Sequence, residues 1–510
     1  MTTSTSKVAT EQPAHETAAA ETKAAAKISV KPVRTLASRF IILIHFNTIV
    51  LSALAYGTVH YWSLAIFEIG ACIVTLLWAV DAWRSRTFRI SQNLLQVPLI
   101  GLLLLGLIQL LPFGSNVEAG GALLSSAANS LSIDPYSTRL ALVQIVALLI
   151  YFAAALAFID SPKRLGLIVR TVTIFGFLLA FLGIIQFFTS PGKIYWVKEL
   201  PQSLPFGPFY NRHHFAAYME LAMSLPLGLL FSGAIERDKR PLYIFAVILM
   251  GIALIMTGSR GAMISVVAEV MFLVAFMGFR REKEAEDKGE KSGRARAALM
   301  RVGLALALVL VFVGGAVLFG GEEALSRMAG TVNMDDPTTG RAHFWGVTLD
   351  IIHHHPVAGS GLGSYGVAYT QYDSRGGAFR LEQAHNDYLQ VISDAGIIGA
   401  GLAIFFIVAL FRMGFARRET DDLFRRGVAT GALAGCFAVL VHSFFDFTLH
   451  TTANALLFLM LAMLATINGR VEQASQPRRH HRRRRHRSRL TKQPDVLGVY
   501  SGSVPPSTGH

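Results

Sequence analysis

The apolar residues of this chain are gathered into blocks close to the roughly 20 residues that an α-helix needs to cross a bilayer. We read twelve such blocks, at about 40–59, 62–82, 93–112, 138–160, 165–188, 214–233, 242–258, 261–279, 302–320, 396–414, 427–447 and 453–469. They are rich in Leu, Ala, Ile and Phe, and too long for strands of a membrane barrel, which would alternate over about ten residues. Composition agrees, because 52% of the 510 residues are hydrophobic and only 16% are charged. Soluble domains carry about 25% charged residues. The expected fold class is an all-α polytopic membrane protein with about twelve transmembrane helices.

Lys and Arg in the short loops set the expected orientation. One set of loops is basic: Arg84 and Arg86, Lys163 and Arg164, Arg237 to Arg240, the 280–301 segment, and Arg417 to Arg426. The alternate set contains 113–137, without Lys or Arg, and 321–395, with nine Asp/Glu against four Arg. The basic set belongs in the cytoplasm, so 321–395 is expected outside as a periplasmic loop, and both termini inside. Three regions follow: a disordered cytoplasmic tail at 1–38, a membrane domain at 39–470, and a basic disordered tail at 471–510. The Arg/His run 478–489 reads as a polybasic segment attracted to anionic headgroups rather than a nucleic-acid site, since no nucleic-acid fold accompanies it. Cys72 and Cys436 each fall inside a span and give neither a disulfide framework nor metal-ligand spacing.

Polar residues gather at three places on the expected outer side. Asn211-Arg212-His213-His214 opens the sixth span, where Asn211 suits a helix cap and Arg212 either snorkels or helps form an anion site. Thr257-Gly258-Ser259-Arg260-Gly261 must be the turn between the seventh and eighth spans, which puts Arg260 at the outer rim. The third place is the loop 321–395, too long for a plain connection. Within it, Arg341 to His354 carries Phe344, Val347, Leu349, Ile351 and Ile352 at helical spacing, as in a helix lying at the interface. His353-His354-His355 lacks the i, i+4 spacing of helical metal ligands, so no metal site is expected there. The loop closes on His385-Asn386-Asp387-Tyr388-Leu389-Gln390, from which a helical pattern resumes until Ala395-Gly396 as a stop. Asn386 suits the cap of that helix. At a helix N-terminus the dipole favours the neutral imidazole that a general base must be, so His385 is the candidate base. Two arginines and a base suit a diphosphate leaving group and a hydroxyl to be deprotonated. The residues alone thus point to transfer from a lipid-linked diphosphate at the outer membrane face.

The segments Gly207 to Ala216, Gly258 to Ala262, Gly340-Arg341, Trp345, His355-Pro356, Gly359, Gly361 to Gly363, His385 to Gln390 and Gly396 to Gly399 resemble, in this order, the O-antigen ligase family. That family includes O-antigen ligases, O-antigen polymerases and protein O-oligosaccharyltransferases. The resemblance runs from about residue 205 to 415, and before it only the span pattern is similar. It implies a glycosyltransferase C-type fold and an inverting, metal-independent enzyme without a cofactor. The implied donor is an undecaprenyl-diphosphate-linked glycan, and the implied acceptor a hydroxyl on lipid A-core or another molecule, at the bacterial inner membrane. Arg212 and Arg260 match the arginines that hold the donor diphosphate, and His385 matches the base. Arg341, Asn211, His213 and Asn386 are further candidate contacts; at His213 the family often has a second Asn.

Within that resemblance an O-antigen ligase stands first, with a polymerase or protein O-oligosaccharyltransferase as alternatives that differ in acceptor. From another class, a lipid-linked sugar transporter or flippase would show repeat symmetry and charges near the midplane. The sequence has no such repeat, and its singled-out polar residues cluster at one rim.

Overall fold

The structure is a computed structural model, and it describes residues 35–112, 130–200, 204–286, 303, 341–374 and 381–467. The ninth expected span, apart from Gly303, lies outside the described residues, as do 1–34 and 471–510 of the tails, 468–470 at the end of the membrane domain, and 113–129, 201–203, 287–301, 321–340 and 375–380 of the loops. Among the described residues the helices are α1 (Leu36–Leu54), α2 (Tyr61–Ser85), α3 (Gln96–Gln109), α4 (Pro135–Phe158), α5 (Pro162–Thr189), α6 (Arg212–Ser232), α7 (Arg240–Met256) and α8 (Arg260–Glu286). After them come α9 (Arg341–His354), α10 (Tyr365–Tyr372), α11 (Asp387–Arg417), α12 (Leu423–His442) and α13 (Thr452–Thr466). A two-stranded antiparallel ribbon, β1 (Lys193–Ile194) and β2 (Lys198–Glu199), precedes α6. Eleven expected spans coincide with α1–α8 and α11–α13. Seven of these helices are long and apolar enough to cross a membrane by length and composition, while α3, α7 and α13 are shorter apolar helices. The fold is that of an all-α, multi-pass membrane protein.

Helix α6 forms the centre, with 94% of its most apolar window buried. It packs against α7, α8, α12 and α13. Between lipid-like surfaces helices associate through close packing, which small residues allow. Gly228 of α6 meets α12 so closely that a Cβ would stand 2.4 Å from the Gly427 carbonyl and 2.5 Å from Gly431 Cα. Near the same end of α12 the fully buried Arg425 donates to the carbonyls of Leu464 (2.7 Å) and Ile467 (2.9 Å), satisfying the C-terminus of α13.

Two departures from the sequence reading shape the site. Helix α12 ends at His442, and residues 443–451 form a loop with a short 3-10 turn at Thr448–His450 where the span was expected to continue to 447. Helix α11 does not stop at Gly396. That residue takes φ +62° and ψ −160°, a conformation open essentially to glycine alone, and the helix resumes at once beyond the break. Alongside the break runs the 356–363 segment. Ser360 N–H donates to the Ser393 carbonyl (2.8 Å), and Ile397 N–H to the Pro356 carbonyl (2.9 Å). Buried Gln109 ties both to the end of α3, donating to the carbonyls of Ala358 and Asp394 (2.6 and 2.8 Å) and accepting from Leu362 N–H (2.9 Å). Helix α9 lies where the interface helix was expected, with Val347 and Ile351 buried; Leu349, expected on the same face, is exposed.

Candidate functional site

Four chain reversals come together at one end of the bundle: the entry to α6, the α7–α8 turn, the entry to α11 and the 443–451 loop. His385 precedes the cap of α11 and is held at φ +52°, a left-handed conformation that side chains rarely adopt. Its ring faces Phe344 of α9 (centroids 6.3 Å apart) and the edge of Phe447 (4.8 Å). Its Nδ1 lies 3.2 Å from Asp446 Oδ1. Because a carboxylate only accepts, Nδ1 carries the proton in this pair and Nε2 is left with its lone pair. The His385 side chain is 27% exposed and Asp446 only 2%, so the imidazole is open to a substrate while its partner is sealed.

Asp446 serves a second histidine. Its Oδ2 stands 3.9 Å from His213 Nδ1, which is 2.9 Å from Ser259 Oγ in the α7–α8 turn. Burial opposes ionisation of Asp446. The His385 hydrogen bond and the neighbouring His213, His385 and His214 imidazoles outweigh burial and hold its carboxyl well below the usual carboxylate range. Sequence reasoning missed this residue because the expected span 427–447 covered it. The available signal was an aspartate inside an apolar block, which on its own marks a functional candidate.

The cations lie around the same reversals. Asn211 caps α6, accepting from His213 N–H at 2.8 Å, as its local sequence suggested. Arg212 follows, and its Nη1 is 3.7 Å from where a side chain at Gly258 would begin, so its guanidinium reaches the α7–α8 turn. Gly258 takes φ +66°, which lets that turn close, and Arg260 starts α8 as an exposed residue at the rim. Arg341 opens α9 within electrostatic reach of Asp446 and Arg260; burial lowers its pKa, Asp446 opposes this, and Arg260 adds to it. The structure thus brings His385, Arg212, Arg260, Arg341 and His213 to one end of the bundle.

Asn386 is the cap of α11, accepting from the N–H groups of Tyr388 (3.0 Å) and Leu389 (3.1 Å). Its amide also donates to the Phe444 carbonyl (3.3 Å), so it holds the Asp446 loop against the helix. Asp387 extends that clamp. Its carboxylate accepts from Ser443 Oγ (2.7 Å) and pairs with His450 Nδ1 (2.9 Å), while its N–H donates to the Ser443 carbonyl (2.9 Å). Burial disfavours the His450 cation, but the Asp387 hydrogen bond and charge outweigh it and raise the His450 pKa. The pairs His385–Asp446 and Asp387–His450 are reciprocal, each strand of chain giving one acid and one imidazole. Among the described residues no group of three or more His, Cys, Asp or Glu side chains is arranged to hold a metal ion.

Residues 245–404 match the family described as O-antigen ligase. The match spans α7, α8, α9, α10 and the first part of α11, and so contains Arg260, Arg341 and His385. No curated protein matches the chain. A glycosyl-transfer role in O-antigen or polysaccharide processing comes with that family. The resemblance read from the sequence is therefore supported over residues 245–404, the part of the chain that matches the O-antigen ligase family.

Proposed function

We propose that the protein moves a glycan from an undecaprenyl-diphosphate donor to an acceptor hydroxyl on the periplasmic side of the inner membrane, as an O-antigen ligase using lipid A-core. The observation that carries the proposal is the His385–Asp446 hydrogen bond at the end of the bundle where Arg212, Arg260 and Arg341 also lie. His385 Nε2 takes the proton of the acceptor hydroxyl as its oxygen attacks the anomeric carbon of the donor sugar. The new carbon–oxygen bond forms opposite the bond to the diphosphate, so the configuration inverts and undecaprenyl diphosphate leaves. Asp446 keeps Nδ1 protonated and supports the imidazolium that forms. The guanidinium groups of Arg212 and Arg260 meet the charge developing on the leaving diphosphate, the part that a metal ion takes in other transferases. Arg341 and His213 stand close enough to contact the donor or acceptor near the reacting atoms, while Asn211 and Asn386 fix the helix ends.

The test is transfer by purified protein in lipid, from lipid-linked donor to candidate acceptors. A positioned base contributes about 10²–10⁴-fold, or about 3–5 kcal/mol of barrier, and His385→Ala should lose that much rate while inserting and folding normally. Full activity in this variant would end the base assignment. Transfer to lipid A-core supports the ligase, whereas repeated chain extension without it identifies a polymerase.

A further inference from the structure

The β1–β2 ribbon ends in a tip for which the transfer reaction has no use. Its turn is Tyr195-Trp196-Val197, with Ile194 paired to Lys198 across it. Tyr195 and Trp196 take φ +53° and +62°, left-handed conformations that are costly for two successive aromatic residues. Neighbouring helices hold them there. Tyr195 donates its N–H to Gln186 Oε1 of α5 (3.0 Å) and its hydroxyl to the Leu54 carbonyl at the end of α1. Trp196 Nε1 donates to Thr189 Oγ1 at the end of α5 (2.7 Å). The polar edge of Trp196 is thus satisfied while its ring stays open, and Val197 beyond it is 83% exposed. The charges of the ribbon are drawn away from this tip. The Lys198 ammonium lies over the rings of Tyr56 (5.2 Å) and Tyr210 (4.8 Å), and Lys193 pairs with Glu199 (2.7 Å).

Two exposed apolar stripes lead to the tip. On α5, Ile174, Leu178, Phe181 and Phe188 are exposed at helical spacing, and the stripe ends beside Thr189, the partner of Trp196. On α2, Ile73, Ile69, Ile66 and Trp62 form a second stripe. Its last ring, Trp62, meets Tyr56 edge-on, and Tyr56 meets Tyr195 (centroids 6.0 and 5.8 Å apart). Both helices are long and apolar enough to cross a membrane, so the tip continues a surface that faces lipid. Trp and Tyr gather where such a surface passes from the apolar layer to the headgroups. The ribbon is also bonded to the arginine site. Buried Gln186 donates to the carbonyls of Lys193 in β1 and Gly207 before α6, both at 2.8 Å. Arg212 N–H donates to the Leu204 carbonyl (2.9 Å), and Phe206 and Phe209 pack on Phe215 of α6. Tip, loop and head of α6 are therefore joined into one piece.

We propose that Tyr195-Trp196-Val197 is an interfacial anchor, with Trp196 and Val197 seated among the lipid headgroups, and that through Gln186 it fixes the depth of Arg212 against the bilayer. The depth role rests on the donor reading given above; the anchor does not. A lipid-linked donor keeps its apolar chain in the bilayer, so its diphosphate is presented at headgroup level, where the tip would hold Arg212. A saccharide stacked on the rings is the rival occupant of an aromatic surface. Lipid is favoured because the outermost side chain is Val197, which offers a sugar neither a ring face nor a hydrogen bond, and because both stripes leading to the tip are largely aliphatic. An anchor of this kind acts on donor binding and leaves the base untouched, so its loss raises the donor KM and spares kcat.

Two measurements test this on the full chain in nanodiscs of phosphatidylethanolamine and phosphatidylglycerol. A nitroxide on Val197→Cys, with the exposed Cys72 replaced by serine, should collide more with oxygen than with a water-soluble nickel chelate. A nitroxide on Asp238→Cys, in the exposed α6–α7 turn, should show the reverse. Equal access of the chelate to both labels overturns the anchor. A label at 197 shielded from both reagents shows that the chain itself covers the tip, and overturns it as well. In transfer kinetics, Val197→Asp should raise the KM for the undecaprenyl-linked donor several-fold with kcat held, while Val197→Leu keeps the wild-type KM. The KM for a short-chain, water-soluble donor should be the same in Val197→Asp and wild type. An unchanged KM for the long-chain donor overturns the depth role. An equal rise for both donors places the glycan on the tip and overturns the lipid assignment. Wild type that transfers from neither donor overturns the donor reading and the depth role with it, and the labels then decide the anchor alone.

Discussion

At the scale of residues, one carboxylate decides what His385 can do. With Asp446 accepting from Nδ1, the lone pair is on Nε2 of a ring that is 27% exposed. An asparagine at 446 can turn its amide N–H toward Nδ1 and move the proton to Nε2, which leaves no base. Asp446→Asn should therefore lower kcat by about the 10²–10⁴-fold of a missing base, with the larger loss in kcat than in donor KM. Steady-state transfer kinetics read this directly, and an unchanged kcat would remove Asp446 from the mechanism. His385, Arg212 and Arg260 were legible in the sequence because each is a polar residue at the edge of an apolar block. Asp446 was not, since hydropathy averages one acid away among Phe444, Phe445 and Phe447. His213 was read as a further candidate contact although the family often has Asn there, and its contacts to Ser259 and Asp446 place it beside His385. Those contacts join residues far apart in the chain, and no local spacing announces them.

At the scale of elements, the site depends on how α11 begins and where it breaks. The stop read at Ala395-Gly396 was a correct reading of local chemistry, but the chain resumes the helix after one glycine conformation. Any Cβ at Gly396 would stand 2.2 Å from the Val357 carbonyl oxygen and 2.7 Å from Gly359 N, both backbone atoms. Gly401, one turn and a half further along, has open space around it. Gly396→Ala should thus cost more than the roughly 1–3 kcal/mol of a strained backbone position and lower the melting temperature and the transfer rate together. Gly401→Ala should be neutral or slightly stabilising, as alanine is in a helix. Equal melting temperatures for the two variants in the same detergent would remove the break as a structural requirement.

At the scale of the whole molecule, alternating apolar and basic blocks made the bundle legible, because crossing a bilayer leaves the backbone few options. The packing order around α6 was not legible, since small residues such as Gly228 and Gly431 acquire meaning only when two helices face each other. The proposed orientation gives a direct expectation. Reporter enzymes fused near Asp238, in the α6–α7 turn, and near Ser364, between α9 and α10, should report the cytoplasm and the periplasm respectively. The reverse result would put the base on the wrong side for a lipid-linked donor presented outside.

The interruption at Gly396 also acts as a mechanical joint. The rim half of α11, Asp387 to Ala395, is fastened to the 356–361 segment, to Gln109 and to the loop holding Asp446, and beyond the break only Ile397 and Ile398 bond back to that segment before the helix runs on as an apolar stretch. A membrane that thins or thickens tilts its helices to keep their apolar lengths covered. Were such tilting taken up at the break, the alignment of His385 with Asp446 would be expected to follow the 356–361 segment and Gln109 rather than the thickness of the bilayer.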